Sequence, residues 1–222
     1  GNEIHETTDW PGTNLQGVDC NACRSWVLRD NRIHDIRAVS PSGTCVQFKS
    51  ASRDTVIERN VIYGCSTLGI SVGGFGSPMA WGLPPDRCEN LNAVVRNNVI
   101  YRCGDAAISL VGACDARVAH NTLWGNGFTP DVRRFARALV LENNVLDRAL
   151  NARDGTAADV TQRGTVVLSN PTQSEPFVGE NGKRAIEWLI DRGVPPTLSV
   201  PTDFEGDPRP RGAGYDVGAD ER

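Results

Sequence analysis

Apolar residues in this chain fall in short alternating runs, and one polar residue punctuates them at intervals. The phrase reads GNEIH at Asn2, DNRIH at Asn31, RNVIY at Asn60, NNVIY at Asn98, HNTLW at Asn121 and NNVLD at Asn144. The spacings are 29, 29, 38, 23 and 23 residues, and a seventh, degraded copy, VVLSN, ends at Asn170. A polar residue returning at the same point of a strand-sized apolar phrase predicts a solenoid, in which each repeat stacks on the last.

Laid over one another, the repeats give a unit of three short strands. The first is apolar and alternating (GVDC, CVQFK, GISVGG, AISLVG), the second follows a polar turn (SWVLR, TVIER, AVVRN, ARVAH, ALVLE), and the third follows the asparagine (RIH, VIY, VIY, TLW, VLD). Alternation sorts the faces. Ile4, Ile33, Ile62, Ile100, Leu123 and Leu146 predict one inward column, and Leu28, Ile57, Val95, Val118 and Leu141 a second. Val46 and Phe48, Ile70 and Val72, Ile108 and Leu110 point inward from the first strand. The asparagines are expected at a corner, where Asn tolerates the left-handed backbone and its amide bonds to the equivalent amide in the next repeat. Two stretches break the unit: an insertion at 75–88, rich in Gly and Pro and carrying Met79 and Trp81, and a loop at 125–137. The rungs occupy residues 1–170. Residues 171–222 form a capping segment of the same domain, with a short amphipathic helix in KRAIEWLIDRG and a tail that hides the last open rung.

With 222 residues, 39% apolar, 6% aromatic, 23 glycines and 13 prolines, the chain has the composition of one turn-rich β domain. Its net charge of -4 gives the whole molecule no attraction for nucleic acid, so an acidic ligand needs a local cationic patch. No apolar run reaches the ~20 residues of a membrane span, and no membrane insertion is expected. The chain opens at Gly1 in mid-phrase and its one methionine is Met79, which reads as a trimmed product. Seven cysteines are many for a reducing compartment. Cys65 and Cys103 each lie five residues after a repeat asparagine, so they stack on adjacent rungs about 4.8 Å apart. That spacing allows a bridge as well as two small core fillers. Cys20-x-x-Cys23 lacks the second pair or the spaced histidines of a zinc site.

Three short strands per turn, punctuated by the asparagine, resemble the right-handed parallel β-helix of pectate lyases, chondroitinase B, alginate lyases and related secreted bacterial proteins. The tail DFEGDPRPRGAGYDVGADE resembles the closing segment of many such proteins. The resemblance implies an all-β, three-stranded solenoid placed outside the cell, in the periplasm or at the cell surface. It also implies an acidic, uronate-containing polysaccharide as partner, bound on the outer face of the first sheet and cleaved by β-elimination. In such enzymes a lysine or arginine removes the proton at C5 and calcium or another cation offsets the sugar carboxylate.

The outward residues of the first strand are the candidates for that chemistry: Asp19 and Asn21, Gln47 and Lys49, Ser71 and Gly73, Ser109 and Val111. Seven residues before their asparagines, Arg24 and Arg53 fall at equivalent places in the following turn. Lys49 and Arg53 are the expected catalytic residues, with Arg24, Asp19, Gln47, Ser71 and Trp81 binding substrate. A lysine acts as base when nearby cations or burial disfavour its charged form. Asp19 is the single carboxylate of this column, too few for calcium or for paired-carboxylate hydrolysis, so no metal site is expected. The alternative is a non-catalytic carbohydrate-binding or structural module. A second outward column, His5, His34, Tyr63, Tyr101 and Trp124, forms a stripe that stacks either on itself or on sugar rings. Asp203-x-Glu205-x-Asp207 reads as a charged surface turn.

Overall fold

The computed structural model describes residues 1–39, 42–74, 88–154, 159–168 and 187–222. The insertion at 75–87, with Trp81, and Asn170 lie outside these residues. Every pairing between named strands is parallel, as a coil of successive rungs requires. The first sheet stacks Gln16–Asn21, Thr44–Lys49, Leu68–Gly73, Ala106–Val111, Asp131–Arg133 and Asn151–Ala152. The second runs from Val27–Arg29 through Val56–Glu58, Val94–Arg96, Arg117–Ala119 and Leu139–Glu142 to Val160–Arg163. The third has seven short strands, from Glu3–Ile4 to Val166–Val167. Between the first and second sheets a short sheet joins Ser52–Arg53, Asn90–Leu91 and Ala113–Cys114. The molecule is an all-β parallel helix, and the described part of the expected C-terminal helix is a single 3-10 turn at Glu187–Leu189.

The expected apolar columns fill the bore. Ile4, Ile33, Ile62, Ile100, Leu123 and Leu146 pair in register, as do Leu28, Ile57, Val95, Val118 and Leu141. From the second rung onward these side chains are closed to solvent, whereas Ile4, Val18 and Leu28 at the first rung are only partly buried. Trp26 shares the level of Thr55 and, next to the edge strand of the second sheet, is 57% exposed.

The asparagines form a continuous internal ladder. Asn60 Nδ2 donates to the carbonyls of Leu28 and Glu58 and to Asn98 Oδ1, each at 3.0 Å. Its Oδ1 accepts the amide and Nδ2 of Asn31, both at 3.0 Å. Asn98, Asn121 and Asn144 repeat the pattern. In the seventh rung the position is taken by Thr165, whose Oγ1 faces the Asn144 amide at 3.4 Å. The repeat therefore ends on Thr165 and not on Asn170. The left-handed backbone also sits one residue earlier than expected. Asp30, Arg59, Asn97, His120, Asn143 and Gly164 carry the positive φ, which leaves each asparagine in place to turn its side chain inward. The other corners use the same device, at Ser25, Asp54, Asn92, Asp115 and Ala138 and at Asp35, Gly64, Arg102 and Gly125.

Three disulfides join Cys20 to Cys23, Cys45 to Cys65 and Cys88 to Cys114, leaving Cys103 free and buried. Of the two alternatives for the stacked pair Cys65 and Cys103, the bridge between them is absent. Stacked residues on parallel strands direct their Cβ atoms the same way, so spacing alone does not bring two sulfurs together. Cys45, in the strand Thr44–Lys49, is bridged instead to Cys65, in the turn between Val61–Tyr63 and Leu68–Gly73, with Cα atoms 5.7 Å apart.

The closing segment lies along the side of the helix. Asn97 donates to the Thr202 carbonyl, Arg96 to that of Ser199, and Arg117 to the Thr197 hydroxyl. Leu189 and Val217 pack with Trp124, Val145 and Leu168. Asp203 is buried, and its oxygens accept the amides of Gly206, Asp207 and Glu221. It anchors a turn in the interior, which corrects its expected place on a surface turn. Among the described residues no helix is long and apolar enough to cross a membrane.

Candidate functional site

The six-residue strands of the first sheet place Asp19, Gln47, Ser71 and Ser109 in one outward column, because period-two alternation puts every second side chain on that face. The column continues to Asp131 and Asn151. Asn21 and Lys49 start a second column beside it. Lys49 Nζ donates to Gln47 Oε1 at 2.8 Å and lies 3.4 Å from Asp19 Oδ1. Asn21 Nδ2 donates to Asp19 Oδ2 at 3.3 Å, and Ser50 Oγ donates to Asn21 Oδ1 at 3.0 Å. The Ser50 amide donates to Glu89 Oε2 at 2.9 Å. Lys49 is thus a tethered ammonium with 14% of its side chain exposed. A Cβ on Gly74 would meet Lys49 Cδ at 2.9 Å and Gln47 Nε2 at 3.0 Å, so the chain enters the 75–87 insertion directly over this pair.

Of the expected binding residues, Gln47 is occupied by Lys49, and Ser71 is buried with its hydroxyl donating to the Gly73 carbonyl. Arg24 and Arg53 are brought together one rung apart, bridged through their backbones on the short sheet. Arg53 follows Lys49 by four residues, across the turn at Ser50 and Ala51. Arg24 is exposed and Arg53 half-buried. Neither arginine makes an ion pair among the described residues, and Arg53 Nε is buried without an acceptor. Neither guanidinium is bonded to the Lys49 network.

The resemblance implies calcium, which takes six to eight oxygen ligands. The carboxylates that touch the Lys49 network are Asp19, already bonded to Lys49 and Asn21, and Glu89, which holds the Ser50 amide. This donor set does not fit the ion. An acidic triad, Asp203, Glu205 and Asp220, with ligand atoms within 4.8 Å of one another, lies in the closing segment.

Asp131 gives the first-sheet column a second carboxylate, where Asp19 was expected to be the only one. It is fully buried, with Arg153 Nε at 2.7 Å from Oδ1, Nη2 at 2.7 Å from Oδ2 and the Ser109 hydroxyl donating at 3.1 Å. Arg153 also pairs with Asp105 at 3.0 Å and lies over the Phe128 ring at 4.7 Å. Two carboxylates raise its pKa still further above the ordinary arginine value. Asp19 and Asp131 are four rungs apart in their column, on the order of 19 Å at ~4.8 Å per rung, far beyond the paired carboxylates of a hydrolase.

On the third sheet the stripe stacks on itself. The rings of His5 and His34, His34 and Tyr63, and Tyr63 and Tyr101 lie 5.0, 4.6 and 4.7 Å apart and within 7° of parallel. Each ring face covers the next, so the stack shows its edges outward and gives a sugar no flat platform along its length. Trp124 is in register with Tyr101 but buried with the closing segment.

Among solved structures the chain is similar to the crystal structure of pectate lyase Pel9A, at 14% identity and a TM-score of 0.47, over 100% of this chain and 68% of that one. No curated protein matches it. Residues 1–170 match the family model described as right handed beta helix region, and the chain belongs to that family.

Proposed function

We propose that this protein engages an acidic, uronate-containing polysaccharide beside its first sheet and cleaves it by β-elimination. The observation that carries the reading is the Arg24–Arg53 pair: two cations in register, unneutralised among the described residues, one with a buried Nε that lacks an acceptor. A sugar carboxylate that meets the accessible ends of exposed Arg24 and half-buried Arg53 forms charge-assisted hydrogen bonds with both side chains. With that charge offset, the C5 proton becomes acidic enough to remove. Lys49, across the adjoining turn, is the base. It takes the C5 proton, the bond from C4 to the glycosidic oxygen breaks with its electron pair, and a C4–C5 double bond forms. Three disulfides support an oxidising location outside the cytoplasm.

A second reading, a module that binds the polysaccharide without cleaving it, is favoured by the contacts of Lys49 with Asp19 and Gln47. Both contacts commit Lys49 Nζ to partners within the protein and hold it back from a substrate proton. Incubation with pectate, alginate and chondroitin, followed by ultraviolet absorbance of the unsaturated product, separates the two. Cleavage that Lys49→Ala abolishes with folding intact is the expected result. Binding without unsaturated product overturns the lyase and leaves the module; neither binding nor cleavage reduces the arginine pair to surface charge.

A further inference from the structure

The closing segment is fastened to the rungs through two of the residues that precede ladder asparagines, His120 and Asn143. Asn143 Oδ1 accepts the Val194 amide at 2.9 Å, and its Nδ2 donates to the Val194 carbonyl at 2.7 Å. The Gly218 amide donates to the Asn143 carbonyl at 2.8 Å. Val194 therefore dictates which end of the Asn143 side chain carries the oxygen. The remaining Nδ2 hydrogen faces His120 Nε2 at 3.1 Å. That nitrogen can only accept, so the neutral ring keeps its hydrogen on Nδ1. Nδ1 faces the backbone at Asp216 and Gly218 without forming a hydrogen bond, and the whole side chain is closed to solvent.

We propose that His120 and Asn143 form an acid-sensitive clasp, so that protonating His120 releases residues 187–222 from the rungs. A proton on Nε2 sets two donors against each other across the 3.1 Å contact. The amide can turn its oxygen to the ring only by flipping, and the flip opposes like groups at both Val194 contacts. The backbone groups of Asp216 and Gly218 favour the charged ring, but burial first and then Arg209 outweigh them. Arg209 brings a buried guanidinium, paired with Glu221 and close to Asp203. Tyr215 presents its ring at 6.0 Å. The Asp216 carboxylate is taken by the amides of Asp191 and Arg222. From the next rung, Glu142 offers its backbone carbonyl to the His120 amide while its carboxylate holds Arg163 and Thr197.

Burial, with Arg209 adding to it, holds the imidazole well below its ordinary value while the segment is seated. Once released, His120 takes a proton below about pH 6.5. The clasp therefore has its full strength above that value and loses it as pH falls, about tenfold in the seating equilibrium per pH unit. Burial moves Glu221 upward, so this group takes its proton more readily when seated and opposes release in acid. A variant at His120 alone isolates the imidazole. Release uncovers Trp124, Val145 and Leu168, now packed under Leu189 and Val217.

Hydrogen exchange of the full chain tests the clasp, with rates corrected for the intrinsic effect of pH. Protection of residues 187–222 is expected to fall about tenfold per unit below about pH 6.5, with the amides of the middle rungs unchanged. His120→Gln, neutral at every pH, is expected to abolish the dependence, and an equal dependence in variant and wild type overturns the proposal. Should the variant not fold, the imidazole signals of the wild type decide, with those of His5 and His34 as references. His120 protonated only in the released form supports the clasp. A ring that titrates in place, with the segment still protected, overturns it.

Discussion

Asn60 shows how much one side chain carries in this fold. It is fully buried, and its amide group bonds to the rungs on both sides. Replacing it by Leu leaves the Asn31 amide and the Leu28 and Glu58 carbonyls short of a partner in the interior. Each unsatisfied group costs about 1–3 kcal/mol, so Asn60→Leu should lower the denaturant midpoint well beyond the effect of a surface change. Activity or binding per folded molecule should stay the same. An unchanged midpoint would show that the ladder is dispensable. The ladder was legible in the sequence because a buried amide must be matched at every rung, and that necessity repeats the same letter. The position of the left-handed backbone was not. Once a repeating geometry holds a residue at positive φ, Asp, Arg, Asn, His and Gly all accept it at about 1–2 kcal/mol each for the non-glycines, and the corner leaves no single residue type behind.

A whole rung is a stricter unit than its separate strands. The 23 residues from Asn121 to Asn144 must circle the helix once, so a first-sheet strand has to lie between them. That requirement, and not local alternation, identifies Asp131–Arg133 within what reads as a loop. With the strand in place, Asp131 joins the column of Asp19, Gln47, Ser71 and Ser109. Glu89 gave no such signal, because it follows an insertion whose length is free of the repeat. The outer face of the second sheet hid another regular feature. Arg29, Glu58 and Arg96 stack as alternating charges, with Glu58 2.7 Å from Arg96. Periodicity marks apolar columns more clearly than charged ones, since long side chains reach across register. The cysteines teach the same lesson, because stacking predicts neighbours and a disulfide needs side chains that converge. Of the seven thiols, Cys103 alone is free; burial pushes its pKa up to about 12. A thiol reagent is therefore expected to leave the native protein unlabelled, to add one label in denaturant, and to reach all seven only after reduction. Mass measurement finding more than one label before reduction would remove a bridge from this pattern.

For the molecule as a whole, the repeat made the architecture readable, whereas the closing segment, which belongs to no repeat, gave only its existence. Its course along the side of the helix depends on Asn97, His120 and Asn143, residues that the sequence shows only as neighbours of the ladder. The candidate site likewise mixes what stacking fixes, the register of Arg24 with Arg53, with what local geometry decides, the tether of Lys49 to Asp19 and Gln47. Charge connects site and molecule. The net charge of -4 repels a polyanion at long range, and the arginine pair attracts it at contact. These terms respond oppositely to salt. The Debye length shrinks from about 30 Å at 0.01 M to about 10 Å at 0.1 M ionic strength, which removes long-range repulsion while also loosening the contact pairs. If the arginine pair meets the sugar carboxylate as proposed, the direct pairs dominate in the wild type, and affinity for an acidic oligosaccharide should fall as salt rises. Arg53→Ala deletes one pair and takes the net charge to -5 (-4 with one positive charge removed). In that variant repulsion gains weight, and affinity, weaker at every salt concentration, should become flat or rise with salt. Binding titrations of both proteins across this range provide the measurement. Parallel salt dependences would mean that Arg53 does not meet the ligand's charge, and the acidic-polysaccharide reading would lose its principal support.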